Sequence, residues 1–211
     1  MIEYVIPNNI DDRTLSKSVR ILNEGGILAV PTDTTWAIVC SFNSKEGVKK
    51  LRSISKERDE QHFTLLCSEL SQFSKFCSLD NSRFRLINRL IPGPYVFILK
   101  TFLNTEKALS LKRREIGVRI PNSPIPIALI KRMESPLYSI TAKRSMLPAF
   151  NGEEGAPEDQ LFEAGWEMEG INGLDLILDS GEVQERVFST VLDIRRDEIT
   201  LVRQGIGVCP L

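Results

Sequence analysis

Short unbroken apolar runs punctuate this chain, and amphipathic stretches separate them. Glu3 to Ile6 predicts a first strand; after Asp11 and Asp12, Leu15, Val19 and Leu22 fall on one helical stripe closed by Gly25-Gly26. Ile27 to Val30 is continuously apolar, the pattern of a strand buried on both faces, and Pro31 ends it. Trp36 to Val39 follows, with Asn43-Ser44 placed to cap the next helix. Further strands are predicted over Phe63–Cys67, Tyr95–Lys100, Ile116–Ile120, Leu137–Ala142, Leu174–Leu178, Thr190–Ile194 and Thr200–Val202. Helices are predicted over Arg83–Ile91, stopped by Pro92-Gly93, and over Ile125–Met133. These strands with interleaved helices imply an α/β sheet domain. Met146 to Glu158, rich in Gly, Pro and acids, is the best loop or lid candidate. No repeat or composition shift marks a boundary, so residues 1–211 are expected to form a single domain.

Composition narrows the class. The chain is 42% hydrophobic and 26% charged, enough apolar material for a core and too much for general disorder. A net charge of -1 recruits neither nucleic acid nor an anionic membrane, so attraction for phosphate must come from local clusters. The four cysteines form no C-x-x-C pair and His62 is the only histidine, which argues against a metal site and a disulfide framework. Buried thiols in a reducing compartment fit better. Met1 to Asp12 shows no signal-peptide pattern and no apolar run is long enough to span a bilayer, so a cytoplasmic protein is expected, with no membrane partner.

Three places carry candidate chemistry. A buried strand delivers Thr32, Asp33 and Thr34 into a tight turn beyond its carboxyl end, where ligands of open α/β sheets tend to bind. The hydroxyls suit an ammonium or a carboxylate; the bland alternative is a turn stabilised by its own side chains. Lys56-Glu57-Arg58 ends a basic stretch that is either a solvated helix face or an anion site. Arg119 and Arg203 each stand at the end of a strand, where a guanidinium fork can grip a carboxylate or phosphate or form a structural ion pair. Gly205-Ile206-Gly207 lacks the strand–turn–helix context of a dinucleotide fingerprint, and no P-loop is present. Trp36 and Trp166 read as packing residues rather than stacking platforms.

Taken in order, these segments resemble the YrdC-like family of threonylcarbamoyl-AMP synthases. The resemblance runs from Leu22 to Gly207 and rests on Gly-Gly-Ile-Leu-Ala-Val-Pro-Thr-Asp-Thr, Lys56-x-Arg58, Pro92-Gly93-Pro94-Tyr95-x-Phe97-Ile98-Leu99-Lys100, Gly117-Val-Arg-Ile-Pro121, Ser189-Thr190-Val191 and Val202-Arg203. It implies a twisted mixed sheet flanked by helices around a basic concave cleft. It also implies a reaction of L-threonine, bicarbonate and ATP, with Mg2+ accompanying the triphosphate, giving threonylcarbamoyl-AMP and pyrophosphate for the N6-threonylcarbamoyl modification of tRNA. Carried over by position, Thr34, Arg119, Ser139 and Ser189 would hold threonine, and Lys56, Arg58, Thr141 and Arg203 would hold ATP. Ser139 would lie where the two substrates meet. No protein nucleophile is implied.

The chain also departs from that family's pattern. Thr141-Ala142-Lys143 replaces Ser-x-Asn, placing a cation where an uncharged side chain is usual, and Trp36-Ala37-Ile38-Val39 replaces Tyr-Gly-Leu-Gly. Lys-Glu-Arg-Asp and His62-Phe63-Thr64-Leu65 replace Lys-x-Arg-Pro and Asn-Pro-Leu, and Phe-Thr-Leu-Leu-Cys with the Pro-Gly-x-Tyr-x-Phe-Ile-Leu-Lys stretch looks closest to the YciO branch. Two readings of that branch follow: a synthase, working with tRNA-modification proteins, or a nucleotide- or double-stranded-RNA-binding module. The clusters Lys112-Arg113-Arg114, Lys131-Arg132 and Lys143-Arg144 motivate the second. An unrelated ligand is the third alternative.

Overall fold

A computed structural model describes residues 1–55, 63–103, 114–152 and 155–210. Its strands are β1 (Ile2–Tyr4), β2 (Ile27–Pro31), β3 (Trp36–Ser41), β4 (Thr64–Leu66), β5 (Tyr95–Lys100), β6 (Glu115–Arg119), β7 (Leu137–Thr141), β8 (Leu176–Asp179), β9 (Thr190–Asp193) and β10 (Thr200–Arg203). The helices are α1 (Asp12–Asn23), α2 (Lys45–Ser55), α3 (Leu70–Ser74), α4 (Asn81–Leu90) and α5 (Pro124–Met133). All ten described strands form one mixed sheet in the order β1-β8-β2-β3-β7-β4-β6-β5-β9-β10. The expected mixed sheet flanked by helices is thus present. The short helix α3 was not foreseen; its five residues are too few to show a helical stripe.

Helix ends follow local chemistry. The Asp11 carboxylate accepts from the backbone N–H groups of Arg13 and Thr14 and caps α1. Gly25, at φ 85°, turns the chain out of that helix in a conformation other residues resist. Ser44 caps α2 by accepting from Gly47 N–H at 2.9 Å, as its position predicted, and Asp80 caps α4 through Arg83 N–H at 2.8 Å.

Side chains along β2 alternate between two cores. Ile27 and Ala29 belong to one apolar cluster, with Ile38, Leu65, Val118, Phe97 and Leu192 from neighbouring strands and Leu51 from α2. Leu28 and Val30 belong to another on the opposite face, where Leu22 of α1 and Ile125, Leu129 and Ile130 of α5 cover the sheet. This is why Ile27 to Val30 reads as continuously apolar: both faces are packed.

Helices α1 and α5 pack on each other and on β2, leaving the rest of their face open among the described residues. The register shows what lies there. Val39, Ser139, Thr64 and Gly117 are successive partners across β3, β7, β4 and β6, so they share a face. Val39 lies in the core beneath α1 and α5; Ser139, Thr64 and Gly117 continue the same face beyond them.

Three of the four cysteines are buried and all are free. Burial pushes the Cys40 and Cys77 thiols up to about 12, Cys77 being drawn back somewhat by its hydrogen bond with Thr101. Cys67 is also raised, first by burial and then by nearby Cys77. At pH 8 these three stay protonated, so a thiol reagent is expected to label only the half-buried Cys209 quickly in the native protein. Fast labelling of a second thiol before unfolding would contradict this. Among the described residues no helix is long and apolar enough to cross a membrane.

Candidate functional site

The open part of the face forms the floor of a cavity of about 470 Å³. Thr34, Arg119, Ser139, Thr141, Ser189 and Arg203, six of the eight residues singled out in the sequence, line it together. The other two, Lys56 and Arg58, lie outside the described residues, as do His62, Lys112 and Arg113.

Strand register explains how residues so far apart meet. Val118 pairs with Phe97 and Phe97 with Leu192, so these three point into the core behind the sheet. Their chain neighbours Arg119, Val96 and Val191 must point the other way, into the cavity, and Val191 pairs with Arg203 across a bulge in β10.

Arg119 is 6% exposed. Its Nη2 donates to Asp33 Oδ1 at 2.5 Å and its Nη1 to Thr34 Oγ1 at 3.1 Å, while its Nε has no partner among the described residues. Burial draws its pKa below the ordinary arginine value and Asp33 opposes that shift. A guanidinium nevertheless stays charged at neutral pH. Asp33 does not itself line the cavity; it braces Arg119 from behind.

Arg203 is exposed along its length, but its guanidinium folds down over the Phe188 ring, 4.7 Å from the centroid. It donates to the Ser189 carbonyl from Nε at 3.1 Å and from Nη2 at 3.0 Å. No carboxylate pairs with it among the described residues. Burial, then the nearby positive charge of Arg119, lowers its pKa. The two cations therefore feel each other across one hollow. Glu115, also on the wall, shares Arg195 with Asp193. Arg203 is thus the cavity arginine without a carboxylate of its own among the described residues, an arrangement that favours an anionic occupant beside it.

Ser139 Oγ donates to the Thr64 carbonyl at 3.0 Å, which fixes its side chain on the floor. Gly117 lies one strand further along the floor, beside Thr64; a methyl group there would come within 3.0 Å of Val96 Cγ1. Sequence reasoning passed over Thr35, Thr64, Glu115, Gly117 and Phe188, all on the wall. Two of them were within reach, since Glu115 and Gly117 stand four and two residues before Arg119 in one strand and must share its face.

Other expectations fared differently. Lys143 does not line the cavity; its backbone bridges Leu161 instead, so the cation that replaces the usual Asn does not sit on this wall. Arg132 pairs with Asp12 and Arg144 with Glu167, which neutralises half of each basic doublet. Trp36 is fully buried, donating to the Glu163 carbonyl at 3.4 Å, whereas Trp166 is 65% exposed and packs into no core. The 3-10 turns Arg144–Met146 and Pro157–Gln160 overlap the two ends of the predicted loop or lid.

Comparison with known proteins places this geometry. The Sua5/YciO/YrdC family model, described as telomere recombination, matches residues 20–205. The protein YciO of Escherichia coli (strain K12) is 33% identical over 208 residues, covering 97% of this chain and 95% of that protein. The crystal structure of E. coli YciO superposes with a TM-score of 0.80 at 31% identity over 99% of this chain and 97% of that one. A threonylcarbamoyl-AMP synthase of Escherichia coli O6:H1 is 24% identical over 145 residues, covering 67% of this chain and 76% of that protein. P. abyssi Sua5 complexed with L-threonine shares the fold, with a TM-score of 0.81 at 20% identity over 97% of this chain and 57% of that one.

Proposed function

Because this chain belongs to the Sua5/YciO/YrdC family, we propose that it is a threonylcarbamoyl-AMP synthase-like nucleotidyltransferase. The observation that carries the reading is the meeting of Arg119 and Arg203 in one cavity with Thr34, Ser139, Thr141 and Ser189. Two arginines facing one hollow suit two anionic reactants held side by side.

In this reading Arg119 takes the carboxylate of L-threonine, with Thr34, Ser139 and Ser189 around it. Arg203 and Thr141 take the ATP phosphates, which bring their Mg2+ with them, and Lys56 and Arg58 are assigned to the same task. The threonine amine condenses with bicarbonate, losing water, to give a carbamate. A carbamate oxygen then attacks the α-phosphorus, the bond to the β-phosphate oxygen breaks, and pyrophosphate leaves. No side chain needs to form a covalent bond. The protein contributes by fixing the reactants in line and by setting guanidinium charge against the phosphoryl oxygens.

The test is pyrophosphate release from ATP, expected only when L-threonine and bicarbonate are both present. In parallel, ATP and threonine should raise the thermal midpoint, because a ligand at 100 times its Kd adds about 2.7 kcal/mol of stability. Stabilisation by both without pyrophosphate release would favour the binding-module reading, in which nucleotide is held but not joined to threonine. Stabilisation by neither would remove both readings.

A further inference from the structure

The threonines of the turn after β2 are not equally able to meet a ligand. Thr32 Oγ1 donates its one proton to the Thr35 carbonyl at 2.6 Å and accepts from the backbone N–H groups of Thr34 and Thr35 at 3.2 and 3.3 Å. The Thr34 hydroxyl stands 3.1 Å from that of Thr32, whose proton and both lone pairs are already taken. Thr34 Oγ1 accepts from Arg119, which steadies the guanidinium and leaves one lone pair for an occupant.

Thr35 is different. The same turn fixes its backbone, it is 5% exposed, and it lines the cavity, yet its Oγ1 has no hydrogen-bond partner among the described residues. A buried hydroxyl left unmatched is a net cost to the fold, and such groups persist where a function uses them. Rotation about χ1 to another staggered position can present the hydroxyl to an occupant. Thr35 follows directly after Thr34, the residue that holds Arg119. Whatever it meets therefore lies close to the group that Arg119 binds. In an α-amino acid held by its carboxylate, the α-amino group and the β-substituent both lie within that reach, and a neutral hydroxyl that can donate and accept matches a β-hydroxyl.

We infer that Thr35 is a specificity-determining residue whose hydroxyl pairs with the β-hydroxyl of the amino acid held by Arg119. The inference rests on the amino-acid reading of the site proposed above.

The test is titration calorimetry of the wild type and Thr35→Val with L-threonine and with L-2-aminobutyrate, which lacks only the hydroxyl. The wild type should prefer threonine about tenfold, the scale of one neutral hydrogen bond. Thr35→Val should abolish the preference by weakening threonine alone, leave 2-aminobutyrate binding unchanged, and leave the ligand-free thermal midpoint unchanged or raised. Thr35→Ser should restore the preference. A Thr35→Val protein that keeps the wild-type ratio overturns the inference while sparing the proposed function. So does one whose ligand-free midpoint falls, because the hydroxyl would then be bonded within the fold. A wild type that binds neither amino acid defeats the proposed function itself, and the inference with it.

Discussion

Replacing Arg119 by Ala is expected to weaken L-threonine binding about 10- to 150-fold, the equivalent of about 1.5–3 kcal/mol for a charged hydrogen bond. The expectation follows from position: Arg119 is held by Asp33 behind and Thr34 beside it, so its fork is already aimed before a ligand arrives. The same substitution strands the Asp33 carboxylate, whose side chain is 12% exposed, and breaking a buried pair from one side costs about 3–5 kcal/mol. Lost binding in Arg119→Ala could thus reflect a damaged fold. Arg119→Lys separates the two effects, because it keeps a charge near Asp33 but gives up the planar fork. It should fold and bind threonine about tenfold more weakly than wild type. Calorimetric titration of variants with wild-type circular dichroism is the measurement. Unchanged threonine affinity in a folded variant would sink the assignment of Arg119.

Gly205→Ala is expected to destabilise the protein by about 1–3 kcal/mol, the usual cost of forcing atoms into a packed site, and to weaken ATP binding as well. A methyl group on Gly205 would stand 2.1 Å from the Phe188 carbonyl oxygen and 2.4 Å from the Ser189 carbonyl carbon. Both are backbone atoms, so no side chain can swing aside. Next to the clash, Ile206 N–H donates to that Phe188 carbonyl at 2.9 Å, and Gly205 N–H donates to Thr190 Oγ1 at 3.0 Å. Pushing these segments apart moves the Ser189 carbonyl that anchors Arg203 and the Phe188 ring beneath it. Chemical denaturation and ATP titration should therefore report together. Full stability with normal ATP affinity would show that the segments separate without cost.

These two residues illustrate what could be read along the chain. Arg119 stood out because a lone arginine ended an apolar strand, and period-two alternation then requires it to face away from the core. Gly205 carried no such signal. Its glycine-rich neighbourhood lacks the context of a dinucleotide fingerprint and pointed to no role, whereas its task is to let two backbones approach. Only the register of Val191 with Arg203 reveals that closeness. Lys143 shows the opposite failure: its proximity in sequence to Thr141 implied a cation at the site, but strand alternation does not extend past Thr141, and the chain turns away to meet Leu161.

The amino-acid sequence alone determined the α/β alternation, the strand positions and six of the residues that share the cavity, because each depends on local periodicity or on a short motif. It could not show that α1 and α5 shield only part of one sheet face, leaving the rest as a floor. Nor could it show that Asp33 braces Arg119, or that the buried Thr35 hydroxyl is left without a partner among the described residues. Those facts depend on hydrogen bonds and packing between segments some ninety residues apart or more, or on the exact closure of a turn, and pattern along a chain carries no record of either.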